Sequence, residues 1–128
     1  MIRSILWLFV AINIGLGVGC LVDPIALLGP VGIRAEGAHG LIELRAMYGG
    51  LELGFGLFLM WCAKDPSRFR TGLMAAMCQV GGLGLARSAT TLWMAPEGWL
   101  MPVLCAAEIG GAITCAVLLR RMSSGTSG

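Results

Sequence analysis

Four apolar runs, each about as long as a bilayer is thick, alternate along the chain with short stretches rich in proline, glycine and charge. Ile2 to Val22 (IRSILWLFVAINIGLGVGCLV) is the first, with Arg3 ahead of it and Asp23-Pro24 ending it. Leu41 to Trp61, Thr71 to Met94 and Trp99 to Leu119 follow. A 21-residue helix rises roughly 31 Å at about 1.5 Å per residue, enough to cross the hydrocarbon core. The breaks are clear. Pro24 to Gly40 is interrupted by Pro24, Gly29, Pro30, Gly32, Gly37 and Gly40, and its apolar residues suit a segment lying along a membrane surface. Lys64 to Arg70 (KDPSRFR) and Ala95 to Gly98 read as turns. The pattern predicts an all-α fold: a single domain over 1–122, built as a four-transmembrane-helix bundle running up, down, up and down, with a flexible Ser/Gly tail at 123–128.

Composition supports the same class. Of the 128 residues 57% are hydrophobic and only 12% charged, which excludes an ordinary soluble domain. In lipid, helices associate through close packing and polar contacts, and the 20 glycines suit that. Gly15, Gly17 and Gly19 include a small-xxx-small pair for close helix contact, and Asn13, in mid-span, is expected to hydrogen-bond across helices. A net charge of +2 on scattered basic residues implies no nucleic-acid partner. The first run shares its charged start and apolar stretch with a signal peptide, but it is continuous to spanning length and reads as a retained helix. Its Gly17-Val18-Gly19-Cys20 stretch also lacks the bulky aliphatic residue expected three places before a lipoprotein cysteine.

Cys20, Cys62, Cys78, Cys105 and Cys115 form no C-x-x-C motif and read as small embedded hydrophobes. Their odd number and spread through the spans argue against a disulfide framework, with Cys20 and Cys105, near the outer face, the one pair left open. Arg3, Lys64, Arg68, Arg70, Arg120 and Arg121 share one side of the four-span arrangement, with only Arg34 among the loop basic residues on the other. The positive-inside rule then puts both termini and the second loop in the cytoplasm. Trp7, Trp61, Trp93 and Trp99 lie near the span ends, as interfacial anchors do.

Candidate chemistry lies in the charges inside the spans, where each costs at least about 2.5 to 3.5 kcal/mol on insertion scales. Counting up from the basic ends puts Glu52 and Glu108 about 18 Å in, at the midplane, with Arg45 and Arg87 at roughly 28 and 25 Å, in the outer leaflet. Arg45, Tyr48 and Glu52, spaced i, i+3, i+7, fall within about 60° on one helix face. With Arg87 and Glu108 they are expected to form one cluster: two guanidinium groups over two carboxyl groups, with a phenol between. Such a cluster either fixes helix register as buried ion pairs or binds a small or lipid-like anionic ligand through its arginines. Asn13, His39 and Glu43 are weaker candidates. Glu36, His39 and Glu43 could share a metal-binding face on a regular helix, but Gly37 and Gly40 argue against one, so no metal and no cofactor is expected. Recognised catalytic fingerprints such as G-x-S-x-G or a phosphate-binding glycine loop are absent from the sequence, which gives no motif support to an enzyme.

The run Glu43-Leu-Arg-Ala-Met-Tyr-Gly-Gly-Leu-Glu-Leu-Gly54, in a chain of this size, resembles an uncharacterised bacterial family of small membrane proteins, domain of unknown function 4345. The resemblance implies a four-helix protein of the bacterial inner membrane and adds no catalytic residue. The expected partners are the lipid bilayer, a small or lipid-like ligand, and a second copy or a larger membrane complex. The alternative is an accessory subunit whose charges only fix helix packing.

Overall fold

The computed structural model describes residues 1–124, and these form helices and no strand. In chain order they are α1 (Ile2–Val22), α2 (Pro24–Leu28), α3 (Gly37–Ala63), α4 (Phe69–Met94) and α5 (Leu100–Ser124). Single 3-10 turns lie at Gly29–Val31 and Pro66–Arg68. The chain divides into two compact units, Met1–Pro66 and Ser67–Gly128.

In the first unit α1 and α3 pair as an antiparallel hairpin. Gly49 of α3 meets Leu21, Leu53 meets Gly17, and Gly56 meets Asn13 and Ile14, so one helix descends as the other rises. The approach is close. A Cβ on Gly17 would lie 2.6 Å from the backbone nitrogen of Leu53, on Gly49 2.8 Å from Leu21 Cγ, and on Gly56 2.7 Å from Ile14 Cγ1. These are the contacts that small residues permit between membrane helices. They also correct the sequence expectation for α1. Gly15 has nothing within 4 Å of its Cβ direction and Gly19 meets only the Leu27 side chain, so the small-xxx-small pair is not on the seam. At about 100° per residue Gly15 and Gly19 share the face opposite Gly17.

The linker folds more than its glycines suggested. Asp23 caps α2, its Oδ1 accepting the Ala26 N–H at 3.0 Å, with Pro24 in the first turn, where proline is pre-organised for a helix. Gly37, at φ +69°, opens α3, which runs unbroken through Gly40. The second span is therefore Gly37–Ala63, longer at both ends than Leu41 to Trp61.

In the second unit α4 and α5 form another antiparallel hairpin. Gly84 faces Glu108 and Ile109, Gly81 faces Ala112, and Thr91 Oγ1 lies 3.9 Å from Cys105 Sγ. At the far end Arg70 Nη1 donates to Ser123 Oγ at 3.3 Å. Helix α4 ends as the Ala95 N–H bonds the Thr91 carbonyl at 2.8 Å, and the left-handed φ of 43° at Ala95 turns the chain out of the helix. Helix α5 continues to Ser124, two residues into the stretch expected as a tail; the remainder of that tail lies outside the described residues.

Among the described residues three helices are long and apolar enough to cross a membrane: α1, α3 and the Leu100–Ser123 stretch of α5. Helix α4 has the length, at 26 residues, but its Gln79 and Arg87 and its glycines keep it less apolar than these three. Only 33%, 28% and 11% of the apolar windows of the three spans are buried within the chain. Leucines and isoleucines such as Leu8, Ile12, Leu51 and Ile113 remain exposed on these helices, the pattern of a surface made for lipid rather than water. None of the five cysteines is in a disulfide, Cys20 and Cys105 included.

Candidate functional site

The charged residues singled out by the sequence fall into two sets, one in each hairpin. In the first, Arg45 opens a π-helical stretch, Arg45–Gly50, in the middle of α3. Within it the backbone bonds lengthen to five residues, as when the Leu51 N–H donates to the Ala46 carbonyl. A π turn holds more residues than an α turn, which swings the side chains inside it out of the register that a straight helix would give; such insertions recur at functional sites. The sequence carried a signal for it only in the Gly49-Gly50 pair, since glycine lowers the resistance of a helix to such distortion.

Arg45 uses that swing to reach α1. Its Nε donates to the Leu21 carbonyl at 3.0 Å and its Nη2 to the Val22 carbonyl at 3.4 Å. These belong to the last turn of α1, where carbonyls lack intrahelical partners and the helix dipole favours a cation. Arg45 thus caps the C-terminus of α1. Among the described residues its guanidinium meets no carboxylate, so its charge is solvated by carbonyl dipoles without being neutralised. Tyr48 is exposed, at 41%, and Glu52 is half-buried, close enough to interact electrostatically with the Cys20 thiol. Asn13 is buried at the Gly56 contact, and its Nδ2 donates to the Phe9 carbonyl of its own helix at 2.9 Å.

The second set is a closed pair. Arg87 Nε lies 3.1 and 3.0 Å from the two carboxylate oxygens of Glu108, and Nη2 donates to Oε1 at 2.9 Å. This is a two-pronged guanidinium–carboxylate contact, the strongest geometry available to such a pair. The two side chains are 30% and 15% exposed, so the expected buried ion pair is a half-buried one. A seam between two helices shields its charges on two sides and leaves the flanks open. Gly84, one turn before Arg87, brings the chains near enough for this contact, since a Cβ there would sit 3.0 Å from Glu108 Cβ and 2.9 Å from Ile109 Cδ1.

His39 and Glu43 are exposed on the first turns of α3. That part of α3 is regular helix, contrary to the expectation drawn from Gly37 and Gly40. Even so, among the described residues no three His, Cys, Asp or Glu side chains are grouped to hold a metal ion.

The family described as Domain of unknown function (DUF4345) matches the chain over residues 1–119. No curated protein and no solved structure matches it.

Proposed function

Starting from the fact that the chain belongs to the family Domain of unknown function (DUF4345), whose description names no activity, we infer that it is an integral protein of the bacterial inner membrane that binds a small or lipid-like anionic ligand at Arg45. The observation that carries the reading is the contrast between the two arginines. Arg87 is neutralised by Glu108, whereas Arg45 rests on carbonyl oxygens and keeps its positive charge. A guanidinium held by two of its N–H groups still offers others to a phosphate or carboxylate. Tyr48, one turn on and exposed, adds a hydroxyl on the same stretch, and the π segment sets both side chains out of helical register. The reading includes four spans running up, down, up and down with both termini in the cytoplasm. Cysteines introduced in the linker from Pro24 to Gly40 are then expected to react with a membrane-impermeant reagent from the periplasmic side, and one at Ser67 from the cytoplasmic side. Labelling from opposite sides would overturn the topology.

Native mass spectrometry of the purified protein tests the ligand. Arg45→Gln keeps an amide donor for the α1 carbonyls and removes the charge, so it is expected to release a co-purifying anion at least about tenfold more readily, consistent with a charged hydrogen bond of about 1.5 to 3 kcal/mol. Arg45→Lys, a point charge without the fork, should retain part of the binding. Equal retention by wild type and Arg45→Gln would refute the site.

One observation favours a second reading, that of an accessory subunit whose charges only hold helices together. The Arg87–Glu108 fork joins α4 to α5, and the cap made by Arg45 joins α3 to α1. Under that reading Arg45→Gln leaves no ligand to lose.

A further inference from the structure

Arg45 sits where an apolar helix stops. The two carbonyls it holds belong to Leu21 and Val22, whose side chains are exposed, Val22 at 72%, and its Nη1 makes no bond among the described residues. At about 100° per residue Val22, Val18, Gly15 and Leu8 fall within about 80° of one another around α1. That face lies away from the Gly17 seam: Val22, Val18 and Leu8 are exposed, and nothing lies within 4 Å of a Cβ at Gly15. From Val22 to Leu8 it descends about 21 Å, more than the roughly 15 Å of hydrocarbon in one leaflet. A cation therefore stands at the head of an open apolar track on its own hairpin.

We propose, resting on the anion site at Arg45, that the ligand of that site is an anionic membrane phospholipid, its phosphate on the Arg45 fork and an acyl chain against Val22, Val18 and Leu8. Planar forked donors match phosphate oxygens, and the charge selects an anionic head over a zwitterionic one. Location selects the lipid over a dissolved ion. A free anion would have to shed water beside the exposed Leu21 and Val22 side chains, whereas a lipid of the leaflet already carries its phosphate at the end of the span and its chain in hydrocarbon.

The test offers the full chain in detergent phosphatidylglycerol, phosphatidylcholine or glycerophosphoglycerol, the head group without chains, and reads retention by native mass spectrometry. Wild type is expected to retain phosphatidylglycerol at least about tenfold better than either of the others, and Arg45→Gln to remove that preference. Val18→Ser with Val22→Ser should lower phosphatidylglycerol retention about threefold through lost chain contacts and leave glycerophosphoglycerol unchanged. Unchanged helical circular dichroism will show that the variants fold. Glycerophosphoglycerol retained as well as the lipid, and lost in Arg45→Gln, leaves the anion site standing and overturns the lipid assignment. Phosphatidylglycerol retained equally by wild type and Arg45→Gln overturns both. Wild-type retention by the double serine variant overturns the placement of the chain, and so does a lipid-free dimer that this variant dissociates, which would give the face to a second copy.

Discussion

Glu108→Ala is expected to lower the stability of the folded protein by about 2 to 3 kcal/mol, read as an earlier midpoint when the purified protein is unfolded by sodium dodecyl sulfate and followed by Trp93 and Trp99 fluorescence. The substitution leaves the Arg87 guanidinium in the α4/α5 seam without the carboxylate that takes its Nε and Nη2 donors. Breaking one side of a fully buried pair costs about 3 to 5 kcal/mol, and the 30% exposure of Arg87 places this one below that range. Removing both charges together should behave differently. Arg87→Leu with Glu108→Leu takes away an ion pair and leaves apolar side chains in an apolar setting, a change that is often neutral or stabilising. The double variant is therefore expected to recover most of the loss. A double variant as unstable as the single one would mean that the pair contributes packing that leucine cannot replace.

The second large effect is steric. Gly17→Leu should destabilise the α1/α3 hairpin by about 1 to 3 kcal/mol, the usual cost of forcing atoms into a closely packed contact. Its Cβ would meet the Leu53 nitrogen at 2.6 Å and the Leu53 Cα and Cβ at 2.9 Å each. Two of those atoms are backbone and cannot swing aside, so α1 and α3 must separate. Separation also moves the α1 carbonyls away from Arg45. Gly15→Leu is the matched control, since nothing lies within 4 Å of the Cβ it would add. Its effect should stay within about 0.5 kcal/mol. Comparable losses from the two substitutions would show that α1 does not use the Gly17 face.

The sequence by itself determined the class of this protein. Apolar runs of spanning length, separated by Pro66, Pro96 and the broken stretch after Asp23, dictate helices and their approximate ends, because lipid leaves no other partner for the backbone. Counting along the helices put Arg87 in the outer leaflet and Glu108 at the midplane, and their long side chains meet across that difference in height. Three features needed the tertiary structure. Gly17 rather than Gly15 and Gly19 lies on the seam, because any face of an apolar helix can be the packed one and only the partner selects it. Arg45 turns to the end of α1 instead of to a carboxylate, because orphaned carbonyls exist only where another helix happens to stop. The π stretch at Arg45–Gly50 follows from neither composition nor period, since an α-helical count assumes the very hydrogen bonds that this segment exchanges for longer ones.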